Sequence, residues 1–435
     1  MKPPPDQGRR PLPPTLADLA GKPVAAIDTP ALVIDLDAMQ RNLARMAEFA
    51  RKHSVRLRPH AKMHKSAALA RLQMQAGAVG VCVQKTAEAE AMAAGGVTDI
   101  YISNEVIDPA KLRRVAALAG QLNAAGGRLA IAVDSLEGIS RLAAAMADQE
   151  DGVTGGGEAG DRGSVPTHPG HAQNRSDETA VVPLIEVFIE IDVGQGRCGL
   201  PPGPAGVALA QAITAHSNLR FAGLQAYHGR AQHLRSVEER REAIARAADE
   251  VRRTRALIEA AGIPVALVTG AGTGTFALET ASGIWGELQA GSYLFMDADY
   301  AGNAHDPAQP AFEHALFVKS QVISVNAAHA VCDAGHKSHA IDSGLPRVHS
   351  LPGQPSLTYA NGGDEHGILH PAPGEGALPG GSANALPALG DTVWLIPGHC
   401  DPTVNLHEHY IGVRGGLAHG TVERIIRVDA RGALT

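Results

Sequence analysis

The chain has 435 residues, 44% of them hydrophobic and 19% charged, with a net charge of −7. That length admits two or three domains, or one barrel with an appended domain. The acidic balance argues against a nucleic-acid binder, and no apolar run approaches the roughly eighteen residues of a membrane span.

Residues 1–10 are polar and proline-rich rather than a signal peptide, and 1–14 reads as a mobile tail within a leading stretch, 1–28. Cys82, Cys198, Cys332 and Cys400 lie far apart and form no C-x-x-C pair. They read as free thiols in a reducing compartment, which places the protein in the cytoplasm.

Residues 29–36 (TPALVIDL) read as a strand, after which Asp37 is placed to cap a helix with Met39, Leu43, Met46 and Phe49 or Ala50 at helical spacing. Further apolar runs fall at 55–58, 80–83, 99–103, 129–133, 185–191, 221–226, 265–269 and 287–290, separated by Ala-rich helical segments. Eight strands with helical crossovers predict a parallel (β/α)8 barrel, here spanning 37–300. Two stretches break the pattern: 148–180 is rich in Gly, Asp and Ser, and 369–388 in Pro and Gly. Both read as low-complexity insertions. After about Ala301 strand-like runs at 315–325, 330–333, 392–397 and 421–428 predict a C-terminal all-β domain, 301–435.

Side chains at the C-terminal ends of barrel strands face the active site. The run RPHAKMHK (58–65) follows the first of them, and Pro59 prevents a helix from running through it. Its Lys62 is a candidate for the amine that forms an imine with pyridoxal phosphate. DVGQGRCG (192–199) follows the fifth strand and brings Arg197. QAYHGRAQH (225–233) follows the sixth with Tyr227, His228 and His233. TGAGTGTF (269–276) follows the seventh, and its small residues Gly272, Thr273, Gly274 and Thr275 suit a phosphate cradle. Gly291 and Ser292 in AGSYLFMD (290–297) supply its other half.

A last cluster is PGHCDPTVN (397–405). If it is extended, His399 and Asp401 face the same way, with Cys400 turned aside. Together they form a donor pair for a catalytic divalent ion, with Mn²⁺ favoured and Mg²⁺ or Co²⁺ as alternatives.

These motifs, in this order, resemble the D-threonine aldolase and D-serine dehydratase family of fold-type III pyridoxal phosphate enzymes, relatives of alanine racemase. The resemblance runs from about Thr29 to Glu423, apart from the two insertions. It implies that Lys62 carries the cofactor, that the 272–275 and 291–292 loops hold its phosphate, and that Arg197 and Tyr227 lie beside its ring. It implies further that His399 and Asp401 bind the metal, and that the strand at 29–36 joins the C-terminal sheet. By the same resemblance His233 is the expected base for the substrate's β-hydroxyl, with His228 the competing choice, and a homodimer is expected.

The activity so implied is retro-aldol cleavage of a D-3-hydroxy amino acid to glycine and an aldehyde. The family's dehydratases carry His-x-Cys where its aldolases carry His-x-Asp. The order His399-Cys400-Asp401 favours the aldolase, while a one-residue slip presents Cys400 and a dehydratase acting on D-serine or D-threo-3-hydroxyaspartate.

Overall fold

The computed structural model describes residues 14–154, 184–372 and 386–435. Residues 1–13, and most of the two stretches read as insertions, lie outside them.

Eight short parallel strands form one sheet: β2 (Arg56–Leu57), β3 (Val81–Val83), β4 (Asp99–Ile102), β5 (Arg128–Val133), β6 (Ile185–Glu190), β7 (Leu219–Ala226), β8 (Leu267–Gly270) and β9 (Glu287–Leu288). They follow β1 (Ala31–Asp35), which belongs elsewhere. The order is β2-β9-β8-β7-β6-β5-β4-β3. A parallel bridge between His60 and Cys82 joins the two ends, with the Val79 amide donating to the Leu57 carbonyl at 2.9 Å. The sheet therefore closes into the expected barrel.

The strands are largely buried on both faces, with exposed positions confined to their N-terminal halves. Val81, Ile100, Leu129, Ile131, Val187 and Ile189 pack in a core with helix residues such as Met92, Leu112, Val115 and Leu142. Tyr101 and Phe188 fill the inside with Cys82, Ala130 and Ala132. A polar layer lies among the same strands, where buried Arg58 donates from Nε to Glu287 Oε1 at 3.0 Å and from Nη1 to Asp99 Oδ1 at 2.5 Å. An unpaired guanidinium there would cost several kcal/mol, on the order of 3–5, so the pairing is required by burial.

The second sheet is mixed and holds β10 (Leu316–Val325), β11 (Ala330–Cys332), β12 (Arg347–His349), β13 (Leu357–Asn361), β14 (Gly367–Pro371), β15 (Thr392–Ile396), β16 (His409–Arg414) and β17 (Thr421–Arg427). β1 completes it, antiparallel to β10 and parallel to β16. The chain thus starts in the C-terminal sheet, makes the barrel, and returns. Part of the leading stretch is anchored there too. Leu19, Val24 and Ile27 are buried with Val33, Phe317, Trp394 and Val422, and the Gly21 amide donates to the Val422 carbonyl at 2.8 Å.

Three local readings are corrected. The helix Leu36–Lys52 is capped by Asp35, whose side chain accepts from the Asp37 and Ala38 amides; Asp37 sits in the first turn and pairs with Arg414. The helix Leu136–Thr154 continues into the stretch read as low complexity, and β14 takes the first residues of the other one. No helix among the described residues is long and apolar enough to cross a membrane.

Candidate active site

A cavity of about 240 Å³ is lined by residues from the strand ends and the C-terminal domain, among them Lys62, Arg197, Tyr227, Thr273, Tyr300 and Asp401. Lys62 lies in a single 3-10 turn, Ala61–Met63, directly after β2. Pro59 and the bridge from His60 to β3 end the strand there, so the lysine points from a fixed backbone. Its neighbour His60 is also in the lining, next to Gln84 Nε2 at 3.0 Å and Ser103 Oγ at 3.3 Å. Burial and then the Lys62 charge push His60 well below the usual histidine range, so it is neutral. His64 is held away from the cavity by Gln73 Oε1 at 3.1 Å, and burial pushes it down to about 4.

Beneath the cavity a ladder of amides fixes the floor. Gln289 Nε2 donates to Gln225 Oε1 at 2.7 Å and to Thr269 Oγ1 at 2.8 Å. Thr269 in turn donates to Glu287 Oε1 at 2.9 Å, which ties the floor to the Arg58 ion pair.

At one end Gly272, Thr273, Gly291 and Ser292 line the wall. The backbone there is tightly packed. A Cβ on Gly291 would lie 2.7 Å from the His60 carbonyl oxygen, and one on Gly272 would lie 2.4 Å from Gln232 Oε1. Gly274 and Thr275 are not in that lining. The Gly274 amide donates to Gln232 Oε1 at 2.9 Å, and Thr275 Oγ1 accepts from Gln232 Nε2 at 2.7 Å and donates to Glu279 Oε1 at 2.7 Å. These two hold the loop's shape, and buried Gln232 is the clamp. The small-residue wall, the lysine and the Arg197 and Tyr227 pair suit a phosphorylated aromatic aldehyde: anion donors at one end, an amine beside the ring, a cation and a phenol around it.

His399 and Asp401 come together, but not as an extended run. Cys400–Val404 is a short helix with His399 as its N-cap, because Pro402 tolerates the first helical turn, where no amide donor is needed. The turn still brings His399 Nε2 within 3.4 Å of Asp401 Oδ2, a spacing close to that of two donors on one small divalent ion. His399 Nδ1 is held by Asp297 Oδ2 at 2.8 Å. A carboxylate on the far nitrogen fixes the ring and leaves Nε2 free to ligate. Cys400 is buried, and its Sγ donates to the Met296 carbonyl at 3.4 Å. Among the described residues no cluster of three or more His, Cys, Asp and Glu donors is assembled.

Asp401 also forms an ion pair with Lys62. Burial alone would raise the Asp401 carboxyl, but Lys62 and then His399 outweigh it and hold the group at about 2. Burial would lower Lys62 and His399, yet the Asp401 and Asp297 carboxylates respectively leave both above their ordinary values.

The two candidate bases separate. His228 packs under the turn after β6, where a Cβ on Gly194 would lie 2.5 Å from its Nε2, and its Nδ1 is buried without a partner. The His233 ring lies 5.9 Å from that of Tyr300, a residue of the cavity lining, and Nδ1 is 2.7 Å from Asp299 Oδ2. Neither histidine is in the cavity lining itself. Sequence reasoning gave no role to Asp297 and Gln232, although they lie inside the motifs AGSYLFMD and QAYHGRAQH, and did not reach Asp299 and Tyr300. The signal for Asp299 and Tyr300 was two aspartates two apart in MDADY (296–300), which overlaps the end of AGSYLFMD.

Residues 34–154 and 169–299 match the alanine racemase N-terminal domain, and 315–413 match a putative serine dehydratase domain. The chain is 39% identical to a 3-hydroxy-D-aspartate aldolase of Paracoccus denitrificans over 421 residues, 95% of each chain. It is 40% identical to a D-threonine aldolase of an Arthrobacter species over 413 residues, again 95% of each. The structure is similar to that of D-threonine aldolase from Filomicrobium marinum, with TM-score 0.82 and 42% identity over 96% of this chain and 99% of that one.

Proposed function

The chain belongs to the family of D-threonine and 3-hydroxy-D-aspartate aldolases, and from that membership we propose how its residues cleave D-3-hydroxy amino acids to glycine and an aldehyde. The observation that carries aldolase over dehydratase is the second donor beside His399. Asp401 lines the cavity, while the Cys400 thiol is buried against the Met296 carbonyl and burial pushes it well above its ordinary pKa.

Pyridoxal phosphate, the cofactor of this fold type, supplies an electron sink for the carbanion left at Cα. Lys62 would carry it, Gly272, Thr273, Gly291 and Ser292 would hold its phosphate, and Arg197 and Tyr227 would flank its ring. A divalent ion, Mn²⁺ first with Mg²⁺ or Co²⁺ as alternatives, would be held by His399 and Asp401 and supply Lewis acidity at the β-oxygen. Arg197 bears donors and no acceptor, so beside the cofactor ring it would leave the ring nitrogen unprotonated. His233 accepts the β-hydroxyl proton at Nε2, since Nδ1 is engaged by Asp299. The Cα–Cβ bond then breaks, the β-carbon leaves as the aldehyde, and Cα gains a proton to become glycine. Tyr227 and Tyr300 are both held neutral by burial, and their rings screen the reacting bond from water. The family resemblance implies a homodimer, and the free cysteines suit a reducing cytoplasm; sedimentation and cell fractionation test the two.

The test is to supply D- and L-threonine separately and identify products. Glycine and acetaldehyde from the D-enantiomer alone are expected. 2-Oxobutyrate and ammonia would establish elimination instead.

A further inference from the structure

We propose that Asp299 is the positioning residue for the reaction's proton acceptor: its carboxylate holds His233 by Nδ1 and so keeps Nε2 as the unprotonated nitrogen. This rests on the reading of His233 given above and extends it to a residue outside the expected site.

Neutral imidazole carries one N–H, and an ionised carboxylate only accepts. A carboxylate at one ring nitrogen therefore decides which nitrogen carries the proton and which has a free lone pair. Asp299 Oδ2 lies 2.7 Å from His233 Nδ1. Its other oxygen accepts from Arg235 Nη2 at 2.5 Å, while Arg235 Nη1 reaches the Asp299 carbonyl at 2.6 Å and Asn303 Oδ1 at 2.7 Å. The Asp299 side chain is only 7% exposed, although that of His233 is 51% exposed. A half-exposed imidazole is thus fixed by an acid that is itself locked on both oxygens.

The lock is built into the same frame as the metal-donor pair. The Ala298 amide donates to the Pro397 carbonyl at 3.0 Å and the Asp299 amide to the Gly398 carbonyl at 3.1 Å. The segment that holds His233 is therefore bonded to the residues immediately before His399. Two positions earlier, Asp297 takes His399 Nδ1 and the Cys400 amide, at 2.8 and 3.1 Å. The Tyr300 ring lies between the two imidazoles, 5.9 Å from that of His233 and 6.3 Å from that of His399. One five-residue run, 296–300, sets both histidines. Met296 opens it at φ 50°, a left-handed conformation rare for a side-chain-bearing residue, which turns the run toward the C-terminal domain.

The experiment measures kcat, KM and cofactor absorbance for Asp299→Asn and His233→Ala holoenzymes, separately and combined, on D-threonine. Asparagine also offers an N–H, so it no longer dictates the tautomer. We expect kcat to fall on the order of 10²–10³-fold, the range of general-base catalysis, with KM within about twofold and absorbance unchanged. In the His233→Ala background, Asp299→Asn is expected to change kcat less than about twofold, because its effect runs through the ring that is gone. A full further loss in that background would mean a structural role and overturn the proposal. So would full kcat in Asp299→Asn when His233→Ala is inactive. Full activity in His233→Ala would instead overturn the base assignment itself, and Asp299's role with it. If Asp299→Asn fails to bind cofactor, Asp299→Glu is read in its place. Its acceptor-only carboxylate should retain at least a tenth of wild-type kcat, and a loss as large as that of His233→Ala would overturn the proposal.

Discussion

Lys62 and Asp401, 339 positions apart in the chain, meet as an ion pair in the wall of the cavity. One comes from the first barrel strand end and the other from the C-terminal domain, so neither domain alone makes the site. The pair also connects the two proposed chemistries, since Asp401 stands between the cofactor lysine and His399.

Replacing Lys62 with Ala removes the amine that would carry pyridoxal phosphate. The bound-cofactor absorbance should vanish and turnover should fall by at least about 10³-fold, the scale of losing a covalent catalytic group. A visible spectrum before and after borohydride treatment checks it. The Asp401 carboxyl should rise from about 2 in the variant, because the charge that most strongly opposes its burial is gone.

Metal affinity should separate the roles around His399. Asp401→Ala should abolish tight binding. Asp297→Asn should weaken it about 10–100-fold while kcat recovers at saturating metal, as for an outer carboxylate that orients a ligand. Mn²⁺ titration followed by electron paramagnetic resonance reads both. Equal affinity in Asp297→Asn and the wild type would show that the hydrogen bond at 2.8 Å does not set the ligand.

Gln232 clamps the wall at the proposed phosphate end. Gln232→Ala leaves the Gly274 amide without its acceptor and Thr275 Oγ1 without its donor, each costing about 1–3 kcal/mol if buried. Pyridoxal phosphate affinity should fall by at least tenfold, with kcat at saturating cofactor changed far less. Fluorescence titration of the apoenzyme checks this.

Glu279 predicts a pH dependence of stability. Burial raises its carboxyl from 4.5 to about 7, although Thr275 donates to it. Between those values the unfolded chain releases a proton that the folded chain keeps. Its contribution is therefore whole below pH 4.5 and is lost as pH rises to about 7, on the order of 3 kcal/mol at about 1.4 kcal/mol per pKa unit. Urea denaturation across this window should show the decline, and Glu279→Gln should flatten it.

The barrel was legible because its strands are short apolar runs largely buried on both faces, each followed by a helix. The C-terminal sheet was only partly so. β13 and β14 carry the polar residues Thr358, Asn361 and His370 at exposed positions, and Gly412 in β16 lies where a Cβ would be 3.0 Å from Leu36, so their strand character comes from pairing rather than composition. Lys62, Arg197, Tyr227 and Asp401 stood inside recognisable motifs and are gathered in one cavity. Asp297, Asp299 and Gln232 were not legible, because each works by touching a side chain more than 40 positions away. Cys400 was placed aside by strand alternation; the structure turns it aside by a helix instead.

The most direct measurement is the product assay on D-threonine with pyridoxal phosphate and Mn²⁺, with and without a chelator. Glycine and acetaldehyde that disappear on chelation and return with Mn²⁺ are predicted. Ammonia and 2-oxobutyrate, or cleavage indifferent to the chelator, would contradict the roles given to Asp401 and His399.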